Sequence, residues 1–328
     1  PSPWFYQLWT DFHHPREPTT GGPGEATDPP DLENFQTPRG STVTDLAIDA
    51  LDDLERRGGD GLCYVQYWDP HAPYLRSDEE VERFRTGDLP PYPTEEQIEI
   101  HREWERWRSA ADPAFEHSLR HSEYDLVENR EALGELIAHY DAEIGYVDEQ
   151  IGRFLDELRS RDLYDNSLIL LTADHGEEFG EHGRYGHQPV LTEELVHVPL
   201  VLGNVDGPDR VSDPVELRQI APTITDLADV SNPYTAPSLL DEQRPWVTSK
   251  VFTGGERQAA VRTQAGKYIA DADGEYLYDL GSVGSEQDNR IEDSPEERAA
   301  FRDALSRHVA TEQEKRAIHA ARTEVDEA

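Results

Sequence analysis

The chain has 328 residues, enough for one large hydrophobic core or for one core plus a small satellite domain. Its 69 acidic and 30 basic residues give a formal net charge of -39, which argues against nucleic acid and anionic membrane as partners. The mean hydropathy is -0.78, yet long apolar-periodic segments persist, which excludes a disordered chain; no apolar stretch approaches the roughly 20 residues of a membrane span, and a single cysteine, Cys63, excludes an internal disulfide framework.

Residues 1–40 hold eight Pro and four Gly and read as irregular loop, with an aromatic patch, Trp4-Phe5-Tyr6, that needs a surface to pack on. Thr42 or Thr44 is placed to cap a helix running to about Arg57, with Leu46, Ala50, Leu51 and Leu54 on one face and Gly58-Gly59-Asp60-Gly61 ending it. Residues 62–68, LCYVQYW, form a short apolar β-rich run that predicts a buried strand, with Cys63 as a small core residue. Asp69-Pro70-His71-Ala72-Pro73-Tyr74 follows at its C-terminal end. Residues 77–125 are charged, helical in part over 95–108, and read as an exposed insertion. Residues 132–161 then carry Leu133, Leu136, Ile137, Tyr140, Ile144, Val147, Ile151, Phe154, Leu155 and Leu158 at the spacing of one buried helical face. Tyr164-Asp165-Asn166 is a turn into an apolar run, 168–171, expected to be a buried strand, and 198–202 is another. Residues 220–230 read as a short helix with Pro222 in its first turn. Two β-like runs, AAVRTQAGKYIAD and EYLYDL, are joined through Asp273-Gly274, which is hairpin chemistry, and an Ala-, Glu- and Arg-rich helix begins near Pro295. The alternation predicts an α/β core over 41–250 and a small C-terminal α+β subdomain, hairpin plus helix, over 251–328.

The densest chemistry lies just after the 168–171 run. The apolar run stops at Asp174-His175-Gly176, and four of the 13 histidines, His175, His182, His187 and His197, fall among six carboxylates between Asp174 and His197. A strand that delivers a carboxylate and an imidazole at its C-terminal end is how open α/β enzymes build ligand sites, and that pair can hold a divalent cation. The alternative is that Asp174 caps a turn and His175 is a surface residue. Gly176, Gly180, Gly183 and Gly186 let the following loop fold tightly over a site and bring back His187, 13 residues after Asp174. His182 reads as supporting and His197 as structural. His71 sits between Pro70 and Pro73, which stiffen its loop, so its imidazole suits anion binding or proton donation; the alternative is a histidine that only bonds a loop carbonyl. Arg262 and Lys267 read as paired surface charges on a hairpin.

The acid is spread along the whole chain, and only Lys250, Lys267 and Lys315 among the basic residues are lysines. Such a charge would destabilise the compact state at low salt, whereas at molar salt the Debye length falls to about 3 Å. A very salty cytoplasm is the expected setting, an ordinary acidic enzyme the alternative. No signal peptide is visible. The chain has no Met and begins at Pro1, so it is expected to be processed or a piece of a longer polypeptide.

In order, the chain shows Tyr67-Trp68-Asp69-Pro70-His71-Ala72-Pro73-Tyr74, the helix around Tyr140-Asp141-Ala142-Glu143-Ile144-Gly145, then Leu171-Thr172-Ala173-Asp174-His175-Gly176-Glu177 and Gly180-Glu181-His182-Gly183. Val198-Pro199-Leu200, Ala221-Pro222-Thr223, Arg262 with Lys267-Tyr268-Ile269, and Leu277-Tyr278-Asp279-Leu280 complete the series. This ordered set, over about residues 41–290, resembles the sulfatase family of the alkaline phosphatase superfamily. The resemblance implies an alkaline-phosphatase-like α/β fold, a mixed sheet flanked by helices. It also implies metal ligands at Asp174 and His175, and His71 and His187 acting on the sulfate or its leaving oxygen. His187 falls where many family members place a lysine. The implied cofactor is a divalent metal, Ca²⁺ first, with Mn²⁺ or Zn²⁺ open; the implied partner is a small-molecule or glycan sulfate ester. The family's paired aspartates and its Cys- or Ser-x-Pro-x-Arg motif, whose first residue becomes the formylglycine nucleophile, are not in this sequence. The expectation is therefore a piece of a sulfuric ester hydrolase that does not turn over substrate alone. The alternatives are a phosphodiester or phosphonate hydrolase of the same superfamily, and a non-catalytic sulfated-glycan-binding homologue.

Overall fold

The structure is a computed structural model that describes residues 39–85, 89–102, 127–231, 234, 236–241, 244–253, 256–281 and 285–326. The expected aromatic patch Trp4-Phe5-Tyr6, with nearly all of the 1–40 segment, and most of the 77–125 insertion beyond residue 102 lie outside the described residues. The chain divides into two compact units, one of Pro1–Leu89 with Ile98–Leu168 and one of Pro90–Gln97 with Ile169–Ala328.

The first unit is helical. Helix α1 spans Gly40–Arg57 and starts earlier than expected, with Arg39 at its N-cap and no side-chain cap. Thr44 lies one turn inside, buried, and its hydroxyl donates to Gly40 O at 3.0 Å. Packing decides this start: a Cβ at Gly40 would meet Asp69 at 3.1 Å and Tyr146 at 3.2 Å, so the chain enters the helix pressed against its neighbours. The buried stripe is Val43, Ala47 and Leu51, at the spacing of one helical face; of the face expected from the sequence only Leu51 is buried, and Leu46, Ala50 and Leu54 are half-buried at its flank. Gly58, at a φ of +66°, ends the helix in a conformation that glycine adopts without a Cβ penalty.

Residues 62–68 are not a strand. They form no ladder among the described residues, and Leu62 and Tyr64 are exposed. Cys63 is exposed as well, not in a core. Apolar β-rich composition supplies propensity, but a buried strand also needs a paired neighbour. Helix α2, Asp78–Glu82, opens with a capping box between Ser77 and Glu80. Helix α3, Arg130–Ser160, is capped by the Asn129 side chain, which accepts from Ala132 N at 2.9 Å. It buries Leu133, Leu136, Ala138, Ala142 and Leu158 of its apolar face and leaves Ile144 exposed. Val81 and Phe84 pack on Ala138 and Ala142 to form this unit's core.

The second unit is built on short ladders. Strand β1, Ile169–Thr172, pairs antiparallel with β4, Leu200–Gly203. The expected full burial of the 168–171 run is reduced to half-burial, because β1 has a single paired neighbour among the described residues. Strands β2, Glu178–Phe179, and β3, Tyr185–Gly186, make a tight hairpin. Helix α4, Glu193–Val196, and helix α5, Ile220–Leu227, follow around β4. Strands β5, Trp246–Thr253, β6, Glu256–Thr263, β7, Gly266–Ala270, and β8, Glu275–Asp279, form a four-stranded antiparallel meander. The run read as one strand before Asp273 is therefore two. Thr263 closes the turn between them, accepting from Gly266 N at 3.0 Å and donating to Gly266 O at 3.1 Å. At the next turn the Asp271 carboxylate accepts from Asp273 N and Gly274 N, both at 2.9 Å. Helix α6, Pro295–Asp326, lays Phe301 and Ala304 onto Val261, Tyr268 and Leu277, with Ile291 completing the core. The α/β class read from the sequence holds, and all ladders among the described residues are antiparallel. No helix among them is long and apolar enough to cross a membrane.

Candidate active site

β1 ends at Thr172, and the chain turns through Ala173 into Asp174, His175 and Gly176. The Asp174 carboxylate is exposed, and its Oδ1 accepts from His175 N at 3.0 Å. His175 Nδ1 lies 2.9 Å from Gly176 O. A carbonyl only accepts, so Nδ1 carries the proton and the Nε2 lone pair is left for a ligand. Nε2 is 3.9 Å from Asp174 Oδ2. An exposed carboxylate beside an imidazole whose far nitrogen is committed to a backbone carbonyl is a donor set that fits a divalent cation.

Glu177 and Glu178 point inward from the following residues, both buried. Glu177 Oε1 lies 3.1 Å from His187 Nδ1, and the His187 ring lies against that of His175, tilted by 32° with centroids 4.4 Å apart. The carboxylate of Glu177 raises the His187 pKa against the opposing effect of burial. Glu177 thus moves His187 toward the cationic form, the charge that a lysine would hold at that position permanently. Gly180, Gly183 and Gly186 carry the tight loop between these residues, with φ of +97°, +77° and +79°. Gly176 is required for a different reason. Its N–H donates to Leu195 O at 2.9 Å, and a Cβ would lie 1.9 Å from Glu194 O.

Beneath the turn lies a set of ionic contacts that sequence reasoning missed. His182 Nε2 is 2.9 Å from Glu194 Oε2 and 3.9 Å from Glu286 Oε2. Burial alone would lower the His182 pKa, but the hydrogen bond and charge of Glu194, with Glu178 and Glu286, raise it. One ligand atom each from Glu178, His182 and Glu194 lies within 4.8 Å of the others, a spacing that can hold a metal ion. Glu178 already has partners there: Thr192 donates to its Oε1 at 2.8 Å, and Arg184 Nε sits 3.2 Å from its Oε2. Lys267, expected on the surface, is fully buried, 3.0 Å from Glu193 Oε1 and 2.9 Å from Glu286 Oε1. Arg262 Nε is 3.0 Å from Glu193 Oε2. The signal for this burial was available in the flanks of Lys267: it sits immediately before the apolar run Tyr268-Ile269-Ala270, on the same strand. His197 is exposed, 3.7 Å from Glu193 Oε2.

His71 belongs to the first unit. Its Nδ1 lies 2.6 Å from Ala72 O and its ring 4.5 Å from that of Trp68. The loop carbonyl therefore fixes its tautomer, and the indole fixes its plane. The loop is fastened to α3 by Glu143, whose Oε1 accepts from Leu75 N at 2.5 Å while Arg76 Nε stands 3.1 Å from Oε2. Thus Asp174, His175 and His187 come together in the second unit, and His71 stands on a separately braced loop of the first.

An α/β fold with a carboxylate and an imidazole on the turn after a strand is the arrangement of the alkaline phosphatase superfamily. The Sulfatase family model matches residues 12–230. The chain belongs to the sulfatase family. It is 31% identical over 196 residues to the choline-sulfatase of Rhizobium meliloti (strain 1021), a match covering 52% of this chain and 36% of that protein. It is 30% identical over 184 residues to arylsulfatase K of Canis lupus familiaris, covering 48% and 34%. The chain thus spans about a third of the length of the curated relatives it matches. Among solved structures it resembles the phosphonate monoester hydrolase SpPMH from Silicibacter pomeroyi, with a TM-score of 0.63 and 21% identity over 84% of this chain and 61% of that one.

Proposed function

We propose that this chain carries one half of the active site of a metal-dependent sulfuric ester hydrolase. The observation that carries the reading is the Asp174-His175 turn, with His175 Nδ1 held by Gly176 O at 2.9 Å and the tilted His187 ring against the imidazole, centroids 4.4 Å apart. Asp174 and His175 would hold the cation, which when bound acts as a Lewis acid on an ester oxygen. His187, biased toward its cationic form by Glu177, supplies a hydrogen bond and charge to the sulfate. His71, with its tautomer set by Ala72 O, is the residue assigned to the leaving oxygen. The aspartate pair and the formylglycine motif that the family resemblance implies are not in this sequence, and this reading requires them to be supplied from outside it. A small-molecule or glycan sulfate ester is the proposed substrate class; one relative is a choline-sulfatase.

A second reading changes the ester to a phosphonate or phosphodiester. It is favoured by His187, where the family resemblance implies a lysine, since an imidazolium, unlike an ammonium, gives up its proton near neutral pH, and it agrees with the name of the phosphonate monoester hydrolase above. The test is turnover by the full-length gene product. Aryl sulfate cleavage well above that of aryl phosphodiester and phosphonate supports the first reading, and the reverse order supports the second. In either case Asp174→Ala is expected to abolish turnover, and full activity in that variant would sink the metal assignment.

A further inference from the structure

Lys267 is one of three lysines in the chain and is fully buried on β7. A buried ammonium is tolerated only when compensated, and here two carboxylates compensate it, Glu193 at 3.0 Å and Glu286 at 2.9 Å. Glu193 is the first residue of α4. Its side chain is also held by Arg262 at 3.0 Å, and its backbone N–H donates to Glu286 Oε2 at 2.6 Å. The first turn of α4 is therefore fixed to the C-terminal sheet by side chain and main chain together. The next two residues of α4 meet the turn. Gly176 N donates to Leu195 O at 2.9 Å, and the Gly176 backbone lies so close to Glu194 O that no side chain fits between. Gly176 O in turn fixes His175 Nδ1.

We infer that Lys267 is a positioning residue: through Glu193 and Glu286 it holds α4, and α4 seats the turn that presents Asp174 and His175. This inference rests on the reading of that turn as a cation site. A helix of four residues has too few internal hydrogen bonds to keep its own place, so its position is set by what grips it. Any movement passes to His175 through the Gly176 N–H bond to Leu195 O, the His175 Nδ1 bond to Gly176 O and one hard backbone contact.

The test is Mn²⁺ binding to the full chain, followed by electron paramagnetic resonance in molar KCl, with circular dichroism to establish the fold. Lys267→Met alone strands two buried carboxylates and can fail to fold. The charge-balanced pair Lys267→Met with Glu286→Gln removes one ammonium and one carboxylate and keeps an acceptor for Glu193 N–H. It is expected to weaken Mn²⁺ binding about 10–100-fold, the usual effect of losing support behind a metal ligand, and Glu193→Gln should weaken it in the same direction. Wild-type Mn²⁺ affinity in either folded variant would overturn the inference. Asp174→Ala separates the two claims. If it binds Mn²⁺ as the wild type does, the cation reading fails; if it loses binding while the folded Lys267 pair does not, only the positioning role fails.

Discussion

Gly176→Ala is the sharpest perturbation of the turn. The added Cβ would lie 1.9 Å from Glu194 O and 3.1 Å from Glu194 C, both backbone atoms that no rotamer change can move away. Restoring an ordinary contact of 3.4 Å requires about 1.5 Å of movement, and a shift of even ~1 Å can cost ~100-fold in rate. Because α4 is gripped at Glu193, the Asp174-His175 turn is the part that yields, and the 2.9 Å bond from Gly176 N to Leu195 O is strained or lost. Metal–ligand distances tolerate about 0.2 Å, so affinity should fall by about 10–100-fold. Overpacking costs about 1–3 kcal/mol, which at roughly 2–4 °C per kcal/mol for a unit of this size lowers Tm by roughly 2–12 °C. Thermal melts and Mn²⁺ titration of the wild type and variant, side by side in molar KCl, measure both quantities. A variant with unchanged Tm and unchanged Mn²⁺ affinity would show that the turn does not rest on α4.

Three other expectations concern stability. Burial raises the Glu181 pKa to about 7 from an ordinary 4.5, so the folded state binds its proton more tightly and stability declines as pH rises through that window; Glu181→Gln should remove the decline and add on the order of 3 kcal/mol at pH 8, read from urea melts at pH 5 and pH 8, and an unchanged slope would refute it. Glu143→Ala removes the buried partner of Arg76 and the acceptor of Leu75 N–H, and should cost about 3–5 kcal/mol, whereas a loss under about 1 kcal/mol would mean that water replaces the carboxylate. With a net charge of -39, Tm should climb steadily between 0.1 M and 3 M KCl as the Debye length falls from about 10 Å to under 3 Å; a flat profile would remove the salt-adapted reading.

Periodicity carried the helices. The face of α3 was legible because one buried stripe at helical spacing depends on local chain geometry alone, and the start of α6 near Pro295 was legible from its Ala-, Glu- and Arg-rich composition. The short carboxylate–imidazole turn after β1 was legible too, since an abrupt change from apolar residues to Asp174-His175-Gly176 is visible in a single dimension. Strand status was less so. Residues 62–68 have strand composition but no ladder among the described residues, and the 259–270 run conceals a turn, because Thr263 to Gly266 contain no proline or Asn-Gly or Asp-Gly pair to mark it. Helix starts also moved, as at Gly40, where contact with Asp69 and Tyr146 outweighed the available threonine caps.

The sequence by itself determined the family, the buried face of α3 and the identity of the residues that meet at the turn, Asp174, His175 and His187, because each follows from the order of residue types along the chain. Tertiary structure alone decided that Glu177 would sit against His187 and raise its pKa, that Gly176 is required by a neighbouring backbone and not by its own φ, and that Lys267 is buried between Glu193 and Glu286. The physical reason is range. Propensity and periodicity act over a few residues, whereas the partner of a charge is chosen by which strands and turns are brought within about 4 Å of it, where Coulomb attraction and desolvation are both large. Lys267 and Glu193 are 74 positions apart, and only the packing of the meander against α4 makes them neighbours.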